Sequence, residues 1–224
     1  MRNIYIPANS AENWAQFLAE PVKHWRTGYS ARSLAHCWQD ADGFPPEVTA
    51  ALATSEALNG TAMLLGLPEH QVALPGGNTK SQSDIWVLGK QDKQLVSIAI
   101  EGKVREPFGG TVAEWLESET PGKRIRLRFL TEKLGLGEIP PTIRYQLLHR
   151  TASAILEAER FNARHALMLV HSFSQTHEWF EDYQAFAALF GVDAELNRVH
   201  VGKKVGEVTL HLGWVCGAAE YLLR

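Results

Sequence analysis

Asp84, Glu101 and Lys103 are the residues whose types and spacing most clearly suit chemistry in this chain. Residues 83–88 and 95–103 each alternate apolar and polar side chains as a β-strand does. The polar stretch Gly89-Lys90-Gln91-Asp92-Lys93-Gln94 between them suits a hairpin loop. A hairpin symmetric about Asp92 and Lys93 sets Asp84 directly opposite Glu101. Directly opposed side chains share a sheet face, with Cβ atoms about 4.5–5.5 Å apart. Lys103 falls on that face as well, because strand side chains repeat every second residue. Two carboxylates so close repel each other unless a cation lies between them. The pattern therefore predicts a divalent-metal site with an ammonium beside it. On the opposite face Val96, Ile98 and Ile100 suit the core, while Ser97 and Ala99 are small enough to leave room beside a ligand. A Glu-x-Lys tripeptide alone arises about once by composition in a chain this long, and its plain reading is a solvated strand end. The register with Asp84 sets this one apart.

The flanking elements must hold that hairpin. Ser10 caps a helix through Asn13, Trp14, Phe17 and Leu18 that stops before Pro21, and Ser30 caps a second through Leu34, His36, Cys37 and Trp38. Gly43-Phe44-Pro45-Pro46 is a break, with Pro46 opening the next helix. Trp14, Trp25 and Trp38 pack this segment onto the main domain, or form an aromatic ligand platform. Residues 54–66 read as the helix before the sheet, weakened at Asn59-Gly60. Residues 71–74 read as a first strand, 75–78 as a turn, 106–110 as a loop and 111–116 as a helix. Lys123, Arg124, Arg126 and Arg128 form the densest basic run, suited to phosphate contacts or to a solvated helix face. Residues 144–161 carry the strongest helical pattern, with an apolar stripe of Leu148, Ala152, Ile155 and Ala158. A polar stripe of Gln146, Arg150, Ser153 and Glu157 runs beside it. Residues 166–170 read as a buried strand, 179–190 as an amphipathic helix stopped by Gly191, and 208–215 as a last strand. The result is an α/β (α+β) class: a mixed central sheet with an αβββαβ core flanked by helices, formed by residues 54–224. Residues 1–53 are a helical N-terminal extension packed on it.

Asp84 followed by Glu101-Gly102-Lys103 at the end of the next strand resembles the PD-(D/E)XK nuclease superfamily, and the chain is similar to an uncharacterised bacterial family assigned there. The motif covers about twenty residues, and the order of elements extends the likeness to roughly residues 54–215. Ser83 stands where the superfamily often has proline. The resemblance implies that Asp84 and Glu101 hold Mg²⁺, with Mn²⁺ able to substitute, that the main-chain carbonyl of Gly102 is a further ligand, and that Lys103 orients the attacking water. It also implies an extra acidic residue from the helix before the sheet, for which Glu56 is the candidate; a solvated first-turn glutamate is the alternative. Some superfamily members carry a glutamine and a tyrosine four apart on the helix after the hairpin. Here Gln146 matches, and Arg150 stands in the tyrosine's place as a phosphate-binding or surface-pairing group. The implied partner is DNA, contacted by Arg150 and by Lys123, Arg124 and Arg126. A catalytically silent nucleic-acid- or protein-binding member of the fold is the alternative.

The chain has 224 residues, 45% of them hydrophobic, enough for one globular unit. A formal charge of −3 argues against a protein that coats nucleic acid, though not against a basic groove. Cys37 and Cys216 have no paired spacing and read as reduced thiols of a cytoplasmic protein. The first seven residues lack the apolar stretch of a signal peptide, and no run is long enough to cross a membrane. The histidines show no tight ligand spacing, so zinc is not expected. A homodimer remains open.

Overall fold

A computed structural model describes residues 8–224; the seven residues read above for a leader lie outside that range. The chain forms a six-stranded mixed sheet flanked by helices on both faces. Along the sequence come α1 (Pro21–His24), α2 (Ser30–Asp40), α3 (Pro46–Leu52), β1 (Ala62–Val72), β2 (Ser81–Gln91) and β3 (Gln94–Lys103). After them come α4 (Val112–Leu116), α5 (Pro121–Lys133), α6 (Tyr145–Arg160), β4 (His165–Ser172), α7 (Phe180–Ala188), β5 (Arg198–Val205) and β6 (Val208–Cys216). The sheet order is β1-β2-β3-β4-β6-β5. β1, β2 and β3 form an antiparallel meander, β3, β4 and β6 run parallel, and β5 returns antiparallel on the far edge. Among the described residues no helix is long and apolar enough to cross a membrane.

The hairpin is tighter than its polar loop suggests. Gln91 pairs with Gln94, leaving Asp92 and Lys93 as the turn, with Asp92 at φ +50° as such two-residue turns require. Pairing continues to Ile85 opposite Ile100, so the next step places Asp84 across from Glu101. The register follows the symmetry about Asp92 and Lys93.

Two packing layers hold this hairpin. On one face α6 lays Leu147, Leu148, Ala154 and Ile155 over Ala99, Ala166 and Met168. On the other, α2 and α3 lay Leu34, Trp38, Val48 and Leu52 over Ile85, Ile98, Ile100 and Leu169. Residues 8–53 thus supply one of the two cores. Trp14 and Trp38 are buried and Trp25 is partly buried against the same core, so all three pack rather than form an open platform. Ser97 does not leave free room beside a ligand. Its hydroxyl accepts from the Trp86 indole at 2.9 Å and donates to the Ala154 carbonyl at 2.8 Å.

Two elements differ from the sequence expectation. Residues 54–66 are not a helix: turns run to Gly60, whose φ of +76° reverses the chain, and β1 starts at Ala62. Of the strand expected at 71–74, residues 71–72 are the tail of this longer one and residues 73–74 lie beyond it. β1 is an edge strand, which is why it tolerates Pro68. β5 was not anticipated, because its Gly202-Lys203-Lys204 centre is polar and its register shifts between Val201 and Lys204.

Candidate active site

Three carboxylates stand side by side on neighbouring strands. Glu101 is on β3 and Asp84 on β2. Pro68 pairs with Ile85 and His70 with Ser83, so Glu69 of β1 stands across from Asp84. Glu69, Asp84, Glu101 and Lys103 line one cleft of about 1080 Å³, whose wall includes residues 26–31 and 103–107. Glu69 escaped the sequence reading because it falls between the expected helix at 54–66 and the expected strand at 71–74, in a stretch assigned to neither. Its backbone is left-handed, at φ +51°, inside an otherwise extended strand. Such a conformation is uncommon for a residue with a side chain, and it marks a candidate functional position.

Glu101 is buried and gathers three donors. Lys103 Nζ donates to Oε1 at 2.8 Å, Gln146 Nε2 donates to the same oxygen at 2.7 Å, and Arg150 Nε donates to Oε2 at 2.6 Å. Gln146 and Arg150 are one turn apart on α6 and so reach the same spot. Burial alone would raise the Glu101 carboxyl, but the charges of Arg150 and Lys103 overcome it and hold it down at about 2. The ammonium of Lys103 also lies 5.1 Å from the centre of the Phe108 ring, which limits where it can point.

Asp84 behaves in the opposite way. Its Oδ2 accepts from the Gly102 backbone N–H at 2.7 Å, yet burial and the Glu101 charge push its carboxyl up to about 7. Glycine at position 102 matters because a Cβ there would come within 3.2 Å of both that oxygen and the Leu34 side chain. Glu69 accepts from Gln82 Nε2 at 2.6 Å; burial and the Asp84 charge push it up to about 8. The floor of the cleft thus holds one firmly ionised carboxylate and two whose negative charge the protein leaves poorly compensated.

The other expected site residues lie elsewhere or are already engaged. Glu56 is exposed in the turn before β1, beside a separate cavity with His165 and His200. Arg126 is buried, donating to the carbonyls of Pro75 at 2.9 Å, Leu74 at 3.1 Å and Gly77 at 3.2 Å. It clamps a loop in which Gly76, at φ +87°, passes so close to the Gly122 carbonyl that no side chain would fit. Arg124 pairs with Glu119, and Lys123 donates to the Trp115 carbonyl and the Ser118 hydroxyl. Arg150 is spent on Glu101 and Ser81. Lys123, Arg124 and Arg126 do not line the carboxylate cleft.

Hard oxygen donors suit Mg²⁺ or Mn²⁺. A carboxylate offers about four acceptor positions; Glu101 uses three, leaving one, while Asp84 and Glu69 are less engaged. Two poorly compensated carboxylates beside a third fit a divalent cation. Among the described residues, the group of three whose ligand atoms all lie within 4.8 Å of one another is a different one: Cys37, Glu47 and His171, on the far face of the sheet. There the Trp38 indole N–H donates to His171 Nδ1 at 3.1 Å. The proton of a neutral ring must then sit on Nε2, which faces Glu47 Oε1 at 3.2 Å. That nitrogen is a donor to Glu47, not a lone pair offered to a metal. Burial, then the Glu47 charge, pushes the Cys37 thiol up, away from the thiolate a metal needs. The trio is a hydrogen-bonded brace joining α2, α3 and β4.

Residues 7–219 match a family described as a domain of unknown function (DUF6946), and the chain belongs to that family. No curated protein and no solved structure matches it.

Proposed function

We propose that this protein is a Mg²⁺-dependent hydrolase of DNA phosphodiester bonds, with Mn²⁺ able to substitute. The observation that carries the reading is the row of Glu69, Asp84 and Glu101 across three adjacent strands, on the floor of an open cleft with Lys103 beside it. The resemblance of Asp84 and Glu101-Gly102-Lys103 to the PD-(D/E)XK pattern supports the same chemistry. Asp84 and Glu101 would hold the cation, with Glu69 as the third acidic group in place of Glu56. When bound, the cation would supply Lewis-acid charge neutralisation and lower the pKa of a coordinated water.

The residues of the chain have separate tasks. Arg150 and Gln146 fix the Glu101 carboxylate, so its orientation costs nothing further when substrate arrives. Lys103 is held between Glu101 and the Phe108 ring, where its ammonium stabilises negative charge developing on the attacked phosphate. Glu101 keeps its charge down to about pH 2. Asp84 and Glu69, pushed up to about 7 and about 8 in the metal-free protein, would give up their protons when the cation binds.

The test is cleavage of DNA by the purified protein in Mg²⁺ or Mn²⁺, with chelator as control. Lys103→Ala is expected to lose about 10²–10³ in rate while keeping its response to metal. Equal cleavage by Lys103→Ala and the parent protein would assign the activity to something else and end this reading. A second reading is a silent member of the fold that binds nucleic acid without cutting it. It draws on the engagement of Glu101 by three protein donors. Strand binding without metal-dependent turnover would favour it.

A further inference from the structure

Resting on the nuclease reading, we propose that the cleft wall formed by Lys23, His24, residues 26–29 and Arg105 is a binding surface for single-stranded nucleic acid. Lys23, Arg26 and Arg105 contact phosphates, and Tyr29 stacks on a base. All four line the cleft that holds the carboxylates. All four are exposed, Tyr29 at 44%. An acidic floor repels a polyanion, so a phosphate chain reaches it only along a wall of opposite sign.

Nothing in the fold ties these cations down. Lys23 pairs with Glu20 at 3.2 Å, but both side chains are about two-thirds exposed, and such a pair exchanges readily for a phosphate. The Arg26 side chain makes one hydrogen bond, to the Val22 carbonyl of the preceding helix α1, and its guanidinium lies 6.0 Å from the Tyr29 ring centre. The Arg105 side chain has no partner among the described residues. The basic run on α5 is not part of this wall: Arg126 is buried, and none of Lys123, Arg124, Arg126 and Arg128 lines the cleft.

Two further features select the ligand. The cleft, at about 1080 Å³, lies at or above the upper end of the roughly 300–1,000 Å³ of small-molecule sites, which suits a length of strand. An exposed aromatic interleaved with cations is the pattern that binds unpaired bases, whose faces a duplex keeps stacked away.

The experiment is fluorescence anisotropy of a labelled DNA strand of about twelve nucleotides, and of the same sequence as duplex, titrated in chelator so that nothing is cut. The strand is expected to bind more tightly than the duplex. In the triple variant Lys23→Ala, Arg26→Ala, Arg105→Ala, the slope of log affinity against log salt is expected to flatten by about 2, at roughly 0.7 per lost contact. Tyr29→Ala is expected to weaken binding roughly five- to 150-fold with the slope unmoved. Tighter duplex binding, or variants that bind as the parent does, would overturn the proposal. Because chelator removes turnover, the two readings fail separately. A protein that binds strand through this wall but never cuts loses the nuclease reading alone. One that cuts while these variants bind normally loses the wall alone.

Discussion

Asp84 and Glu101 face each other across one hairpin yet titrate in opposite directions, and the reason is which of them the cations bond directly. Arg150 and Lys103 hydrogen-bond Glu101 and outweigh its burial, whereas at Asp84 burial and the Glu101 charge outweigh those two cations and the Gly102 N–H. The consequence is a stability profile. Asp84 goes from an ordinary 3.8 up to about 7 and Glu69 from 4.5 up to about 8. Over that range the folded chain holds protons that the unfolded chain has released, so stability falls as pH rises and levels off above about 8. Glu101, held at about 2, contributes stability that is complete above its ordinary 4.5 and is lost as pH falls toward 2. The metal-free protein is therefore expected to melt highest near pH 4–5, roughly where the two trends cross. Asp84→Asn should flatten the alkaline side and raise the melting temperature at neutral pH. Melting curves with the same alkaline slope in both proteins would show that Asp84 does not carry the proton. The Asp84–Glu101 pairing was legible because hairpin symmetry is arithmetic on residue numbers. Glu69 was not, because Pro68-Glu69-His70-Gln71 shows no apolar–polar alternation to reveal a strand.

At the scale of elements, α6 does more than cover the sheet. Its apolar stripe packs on β3 and β4, and its polar stripe delivers Gln146 and Arg150 to Glu101. Both stripes are visible in the sequence, since a 3.6-residue period sorts them without tertiary information. What the stripe does not tell is its partner. Arg150, read as a phosphate-binding or surface-pairing group, is buried and paired with Glu101. These roles separate by measurement. Arg150→Ala leaves Glu101 buried with Lys103 as its remaining cation and is expected to cost roughly 3–5 kcal/mol in urea unfolding. A second change, Glu101→Gln, should recover part of that loss, because the two residues act as one unit. An Arg150→Ala protein as stable as the parent, with a flatter salt dependence of DNA binding, would return the arginine to the phosphate role. The edge strands β1 and β5 were the harder elements to read. A strand with one partner tolerates a proline and runs of polar residues, as at Pro68-Glu69-His70-Gln71 and Gly202-Lys203-Lys204, so its pattern approaches that of a turn or a helix end.

The whole molecule is a sheet clamped between two helical layers, and the carboxylate row lies at one end of its β1–β2–β3 meander. The layer built from α2 and α3 buries Leu34 against the site strand at Gly102, and residues 26–31 line the cleft wall, so the segment read as an extension helps build the site. Binding a cation there should therefore stabilise the fold as a unit. Anything that binds the folded chain alone raises its stability by RT ln(1 + [L]/Kd), about 2.7 kcal/mol at a hundredfold excess over Kd. The cation needs Asp84 and Glu69 ionised, and these are protonated in the metal-free protein below about 7 and about 8. Metal and protons compete for the same oxygens, so binding releases protons and strengthens as pH rises. The melting temperature in millimolar Mg²⁺ or Mn²⁺ should exceed that in chelator by a wide margin near pH 8. The margin should shrink to almost nothing near pH 5, where roughly all of the Asp84 and Glu69 carboxyls hold protons. Asp84→Asn should abolish the shift at every pH, whereas Cys37→Ala and Glu56→Gln should leave it unchanged. A shift that survives Asp84→Asn, or that disappears with Cys37→Ala, would move the metal to the other face of the sheet.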